Sequence, residues 1–209
     1  MGFMKIVPVA ALLVILTSAA ALGHGSGMDL AQEARELTEK AQSDLTQWET
    51  LNSQVRDFTK KGDYDSATAT AEKALDSAKQ SDYLGSLGAV GASLCNLAGC
   101  FYNQARYSRA EQLFQSALAL YEKKFGPDAP AVAAILNNLG STHERQGHLE
   151  QAESFYERAL AIDEKVLGKD NPNVAVALKN LAGTYRSNHR DRDAAKLEQR
   201  AAAIEALKR

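Results

Sequence analysis

Apolar positions in this chain advance at helical spacing, and the pattern they make returns 42 residues later. The first stripe is Leu30, Ala34, Leu37, Ala41, Leu45, Trp48, Leu51, Val55 and Phe58. Its steps of three and four keep one face of an α-helix apolar, and it predicts a helix over residues 29–61. Glu33, Glu36, Glu39, Lys40 and Asp44 make its solvated face. Basic Lys60 and Lys61 in the last turn and the following Gly62 mark its end. Ala67, Ala71, Ala74 and Ala78 predict a second helix over residues 66–79, with a small-residue face that lets its neighbour approach closely. A third helix is expected over 82–104. It carries Gly85, Gly88, Gly91 and Gly99, each weakening a helix by roughly 1 kcal/mol relative to alanine, so its first turns could equally be loop. A fourth is expected over 108–124.

The return of the pattern decides the architecture. Leu94, Asn96 and Leu97 reappear as Leu136, Asn138 and Leu139, then as Leu178, Asn180 and Leu181. Ala110, Ala152 and Ala194 form one column, and Ala117, Ala159 and Ala201 another. Gly62, Tyr64, Ala67 and Ala74 form an earlier, divergent copy, shifted by one residue. Phe125-Gly126-Pro127-Asp128-Ala129-Pro130 and Leu167-Gly168-Lys169-Asp170-Asn171-Pro172 connect successive copies. Gly126 and Gly168 suit a C-cap that needs positive φ, Pro130 and Pro172 suit the first helical position, and Asn171 suits an N-cap. A helix pair of this size cannot bury its apolar face alone, whereas a stack of pairs can. The expected fold is all-α: a stack of antiparallel helix pairs, with three clear units and one divergent N-terminal unit. The units fall at about 48–81, 91–124, 133–166 and 175–208, after a helical extension over 29–47. In the last unit Asp191 replaces Leu149 and Glu198 replaces Tyr156, the polar face that a terminal unit needs; the stack is expected to end there.

The N-terminus is of another kind. Lys5 precedes an apolar run from Ile6 to Leu16, then Thr17-Ser18 and the small residues Ala19 to Ala21. This order reads as a secretory signal peptide over residues 1–23, followed by a flexible joint over 24–28, and it implies an exported, periplasmic or secreted protein. The alternative is a membrane anchor over residues 6–22, at the short edge of a span. Charge is nearly balanced, with 24 basic and 26 acidic side chains and a formal net charge of −2, which gives no support to nucleic-acid binding. The two cysteines, Cys95 and Cys100, fall five residues apart in one expected helix. Their Cα atoms then stand roughly 8.6 Å apart, too far for a disulfide, and they read as small buried apolar residues.

The columns resemble the tetratricopeptide repeat, in the 42-residue variety of kinesin light chains. Leu94, Leu97, Ala98, Phe101, Ala110, Phe114 and Ala117 match one unit. Leu136, Leu139, Gly140, His143, Gly147, Ala152, Tyr156 and Ala159 match the next. Leu178, Leu181, Ala182, Tyr185, Ala194 and Ala201 match the last. The resemblance implies a right-handed superhelical stack in which the first helix of each pair lines a concave groove. It also implies that Asn96, Asn138 and Asn180 form an asparagine ladder able to donate to and accept from a bound peptide backbone. Cys95, Asn137 and Lys179 beside the ladder, and Tyr102, Asn103, Arg145 and Arg186 a turn or two later, vary between units and would set side-chain choice. The three cations hint at an acidic or carboxylate-bearing ligand. The alternative for the asparagines is that they only bond between neighbouring helices.

No catalytic constellation stands out. His143-Glu144-Arg145-Gln146-Gly147-His148 is close to a zinc-protease H-E-x-x-H, but the second histidine comes one residue late, off the shared helical face, and His143 belongs to an aromatic packing column. No metal site and no cofactor is expected. The expected function is a non-catalytic module that binds a peptide or partner protein, with oligomeric state open and a monomer the simpler reading. The alternative is a structural or assembly subunit of an envelope complex, docking through the long N-terminal helix or the convex face.

Overall fold

A computed structural model of the chain describes residues 27–81 and 87–207. The expected leader over 1–23, and the alternative anchor over 6–22, lie outside the described residues. Among the described residues eight helices follow one another: α1 (Gly27–Lys61), α2 (Tyr64–Gln80), α3 (Leu87–Asn103), α4 (Tyr107–Phe125), α5 (Pro130–Arg145), α6 (Leu149–Leu167), α7 (Pro172–Ser187) and α8 (Asp191–Ala206). No strand occurs among the described residues, and no helix among them is long and apolar enough to cross a membrane. Each odd-numbered helix packs most closely against the even-numbered one after it, and each pair then packs on the next. The result is an α-solenoid.

The turns inside the pairs are one motif used four times. Gly62, Ala105, Gly147 and His189 all have positive φ, at 77°, 57°, 80° and 57°. Each donates its N–H to the carbonyl three residues back, as Gly147 does to Glu144 at 3.0 Å, and the next residue reaches five back, as His148 N–H does to His143 at 2.9 Å. This double closure satisfies carbonyls that a helix end would leave bare. Between pairs, Gly126 and Gly168 take φ of 86° and 87°, with Pro130 and Pro172 opening the next helix. The Asn171 side chain accepts from the Asn173 N–H at 2.9 Å as the cap of α7.

The alanine columns are where helices cross. Ala67, Ala110, Ala152 and Ala194 are fully buried, as are Ala74, Ala117, Ala159 and Ala201. Leu136, Leu139 and Leu178 are also fully buried and Leu181 nearly so, each burial contributing about 1.5–3 kcal/mol. Gly91 and Gly140 extend the crossing columns: a Cβ at Gly91 would run into the Tyr121 ring, and one at Gly140 would stand 2.6 Å from the Tyr156 ring. Part of the glycine content of α3 is thus required by packing.

Helix α1 begins at Gly27, two residues before the expected start and within the expected joint, and runs unbroken through residue 48, as the stripe over 29–61 predicts. Its packing also starts before residue 48. Ala41 is buried, and Asp44 accepts from the Ser81 hydroxyl at 2.7 Å. Trp48 Nε1–H donates to Ser93 at 2.8 Å, tying α1 to α3 as well as to α2.

Candidate peptide-binding groove

Among helices of like position, α1 packs directly on α3, and α5 on α7. The first helices therefore stand on the inner curve of the stack and the second helices on the outer. The approach of α3 to α5 is looser. A hollow of about 200 Å³ opens there, lined by Cys95, Gly99, Tyr102, Asn103, Phe114, Asn138 and Ser141. Four residues expected on the groove side, Cys95, Tyr102, Asn103 and Asn138, meet at this one place.

The ladder positions have separate environments. Asn96 donates its amide to Asn52 Oδ1 of α1 at 2.5 Å, and Asn52 in turn donates to the Trp48 carbonyl at 2.7 Å. At this rung, bonding between neighbouring helices is what the geometry shows. Asn138 is exposed at the hollow and Asn180 is half-buried. Asn137, one residue before the exposed rung, turns the other way: its Oδ1 is buried without a hydrogen-bond partner.

The three cations are not equally available. Lys179 Nζ lies 2.6 Å from Glu205. Arg186 is held by both oxygens of Glu198, at 2.8 and 2.6 Å, with Asp191 at 3.9 Å. Exposed pairs of this kind add little stability, but they occupy the charges. Arg145 is exposed, and its Nε–H donates to the Tyr102 hydroxyl at 3.3 Å. Glu198, Glu205 and Asp191 stand one period after Tyr156, Asp163 and Leu149. Helix α8 thus meets the cations of α7 with carboxylates at positions where earlier units pack.

The aromatic column carries a second series. Arg106 stacks on Phe101 with Cζ 4.6 Å from the ring centre, and Arg190 on Tyr185 at 3.8 Å. One period from each, His148 lies over His143 at 5.7 Å between ring centres. The left-handed turn at Gly147 folds His148 back, so the two histidines are neighbours despite their spacing. Among the described residues no group of three or more His, Cys, Asp or Glu could hold a metal. His143 is buried, stacked on Phe155 at 5.1 Å, with both ring nitrogens unpartnered and Glu111 at 3.6 Å. Burial lowers its pKa from the ordinary histidine value, Glu111 opposes that shift, and His148 adds to it. The neutral ring is the form the fold prefers. Stability is therefore fully present above the unfolded histidine pKa of about 6.5 and is lost as pH falls through that value toward the lower folded one. Urea midpoints measured between pH 7.5 and 5 are expected to fall with acid, and His143→Phe, which installs the residue of the Phe101 position, is expected to flatten that slope. An unchanged slope would assign the acid sensitivity elsewhere.

Cys100 is buried and Cys95 half-buried, both free. Burial pushes the Cys95 thiol up to about 12, so it is a neutral lining group at physiological pH rather than a nucleophile.

The sequence and its fold place the chain among known repeat proteins. The tetratricopeptide repeat profile matches residues 49–123, 89–165 and 132–204, and the chain belongs to that family. Among solved structures, it is similar to BtubC (BKLC) from P. vanneervenii, with a TM-score of 0.72 and 24% identity over 87% of this chain and 72% of that one. It is also similar to a putative kinesin light chain of nearly identical TPR-like repeats from Podosopora anserina, with a TM-score of 0.64 and 20% identity over 99% of both chains. A point variant of that protein gives 0.66 at the same identity and coverage. These likenesses establish the shared fold. No curated protein matches the chain in sequence. Tetratricopeptide repeats are in general protein–protein interaction modules and non-catalytic scaffolds.

Of the residues around the hollow, Gly99, Phe114 and Ser141 were not expected as groove positions. Their signal was present only as a difference between columns: Gly99, Ser141 and Gly183 share one, and Phe114, Tyr156 and Glu198 share another.

Proposed function

We propose that the chain is an exported, non-catalytic interaction module that holds an extended segment of a partner protein along the inner face of α1, α3, α5 and α7. The observation that carries this reading is the strip formed by Asn103, Asn138 and Arg145. These polar side chains are exposed on the inner curve, while the repeated apolar columns around them go into the core. Amides donate and accept, and so suit a peptide backbone with little demand on its sequence. Export rests on the leader-like order of residues 1–23.

Capture from envelope extract by wild type and by the Asn96→Ala/Asn138→Ala/Asn180→Ala variant tests the reading. The variant is expected to lose about tenfold or more in affinity, since each lost amide bond is worth roughly 1 kcal/mol. Asn138→Ala alone, which disturbs no helix-to-helix bond, is expected to show part of that loss. Equal capture by all three proteins would contradict groove binding. A second reading, docking through α1, is favoured by that helix's 35 residues against the 17 of α2. Deletion of residues 27–38, which stops short of buried Ala41, separates the two: groove binding survives it and α1 docking does not.

A further inference from the structure

We propose that the N-terminal part of α1 is a self-association element, which pairs antiparallel with the same part of a second copy of the chain in one register. The proposal stands apart from the groove reading and names an occupant for docking through α1.

The body of the stack ends well before α1 does. Just past the end of α2, the Ser81 hydroxyl donates to Asp44. Helix α3, whose Ser93 accepts from Trp48, begins only at Leu87. Residues 27–43 therefore extend past both neighbours, as about 25 Å of helix at 1.5 Å per residue. On this overhang Ala34 and Leu37 continue, at helical spacing, the face that buries Ala41 and Val55 in the body. Leu37 is left 38% exposed. A helical segment of this length is marginal in water when nothing packs on its apolar face.

Sterics fix the direction of a partner. The apolar face of the overhang looks toward the side on which α2 and α3 lie. A parallel copy on that face would bring its own α2 and α3 level with the first body and collide with it. An antiparallel copy continues the line of α2 beyond its end and carries its body to the far side. When each overhang reaches the end of the other protomer's α2, Gly27 comes level with the partner's Asp44.

Side-chain chemistry selects the same register independently. With Gly27 level with the partner's Asp44, Ala34 stands opposite the partner's Leu37, and Leu37 opposite the partner's Ala34. Each layer then holds one large and one small side chain, so the two helices approach evenly along their length. The flanking positions bring Glu33 beside the partner's Lys40 and, by the two-fold symmetry of such a pair, Lys40 beside the partner's Glu33. Both side chains are exposed, and neither has an ion-pair partner among the described residues. A parallel pair would set Leu37 on Leu37 and Glu33 beside Thr38, leaving both charges unmatched. A second copy is thus the occupant that satisfies length, direction and charge together.

Sedimentation equilibrium of the chain, in the form the expressing cell produces, tests the pairing. Wild type is expected to pass from monomer to dimer as its concentration rises. Glu33→Lys alone and Lys40→Glu alone each place like charges side by side at both flanks. Each is expected to weaken self-association by about tenfold. Mixed in equal amounts, the two variants are expected to form a heterodimer as stable as the wild-type dimer, because every cation then meets a carboxylate. Leu37→Ser, at an exposed position, is expected to leave only monomer while the thermal midpoint of the stack is retained. A monomer at every wild-type concentration, a dimer that survives Leu37→Ser, or a mixture of charge variants no stronger than either alone would overturn the pairing. In each of those cases the groove reading stands, and deletion of residues 27–38 still decides whether α1 docks on another partner.

Discussion

Tyr156→Ala is expected to lower the unfolding free energy by about 3–5 kcal/mol, the range for removing a large buried aromatic side chain. Tyr156 is 1% exposed. It packs with Ala152, Leu181, Ala182, Tyr185 and Ala194, and so spans the junction between the second and third clear units. Its hydroxyl is engaged by Ser141 and Glu144. Truncation removes the ring, leaves a cavity between two pairs that cannot collapse without changing their crossing, and strips Ser141 of a partner. Because a solenoid's stability is a sum over neighbouring units, the loss is expected to appear first as separate unfolding of the C-terminal pair. Equilibrium urea titration followed by helical circular dichroism, with Tyr156→Phe as the milder comparison, measures both effects. A loss below about 1 kcal/mol for the alanine variant would mean that the ring does not hold the junction.

The second large effect comes from adding atoms. Gly140→Val is expected to cost about 1–3 kcal/mol or more, the usual penalty for overfilling a packed core. An added Cβ would lie 2.6 Å from one carbon of the Tyr156 ring and 2.8 Å from two others. Tyr156 is buried and hydrogen-bonded at its far end, so the ring cannot step aside without giving up those bonds. Differential scanning calorimetry is expected to show a lower midpoint for Gly140→Val and for Gly140→Ala, in opposition to Gly99→Ala, where the same methyl meets open space. Midpoints moving in the same direction at both glycines would contradict the packing assigned to Gly140.

Much of this architecture is legible in the amino-acid order because each column repeats. In the three clear units the fully buried alanines, the glycines between pairs at positive φ and the prolines at helix starts lie where the 42-residue period puts them. What the period does not reveal is which column faces which. Asn137 and Asn138 are adjacent, yet one buries an unpartnered oxygen and the other lines the hollow, because about 100° of helical rotation separates them. Lys179 and Arg186 looked available for a ligand, but their carboxylates are on the next helix, and no periodicity within α7 announces them. The start of α1, by contrast, is legible from its own stripe to within two residues, because the apolar spacing runs on past the point where similarity to later units ends.

The inner face as the place of binding is tested most directly by photocrosslinking in the expressing cell. A benzoylphenylalanine at Asn103, beside the hollow, is compared with one at Ser116, exposed on α4 of the outer layer. The prediction is a partner adduct at Asn103 whose attached peptide is one extended segment, which weakens when Asn138→Ala is added, and no such adduct at Ser116. Adducts at Ser116 with none at Asn103, or an Asn103 adduct indifferent to Asn138→Ala, would contradict it.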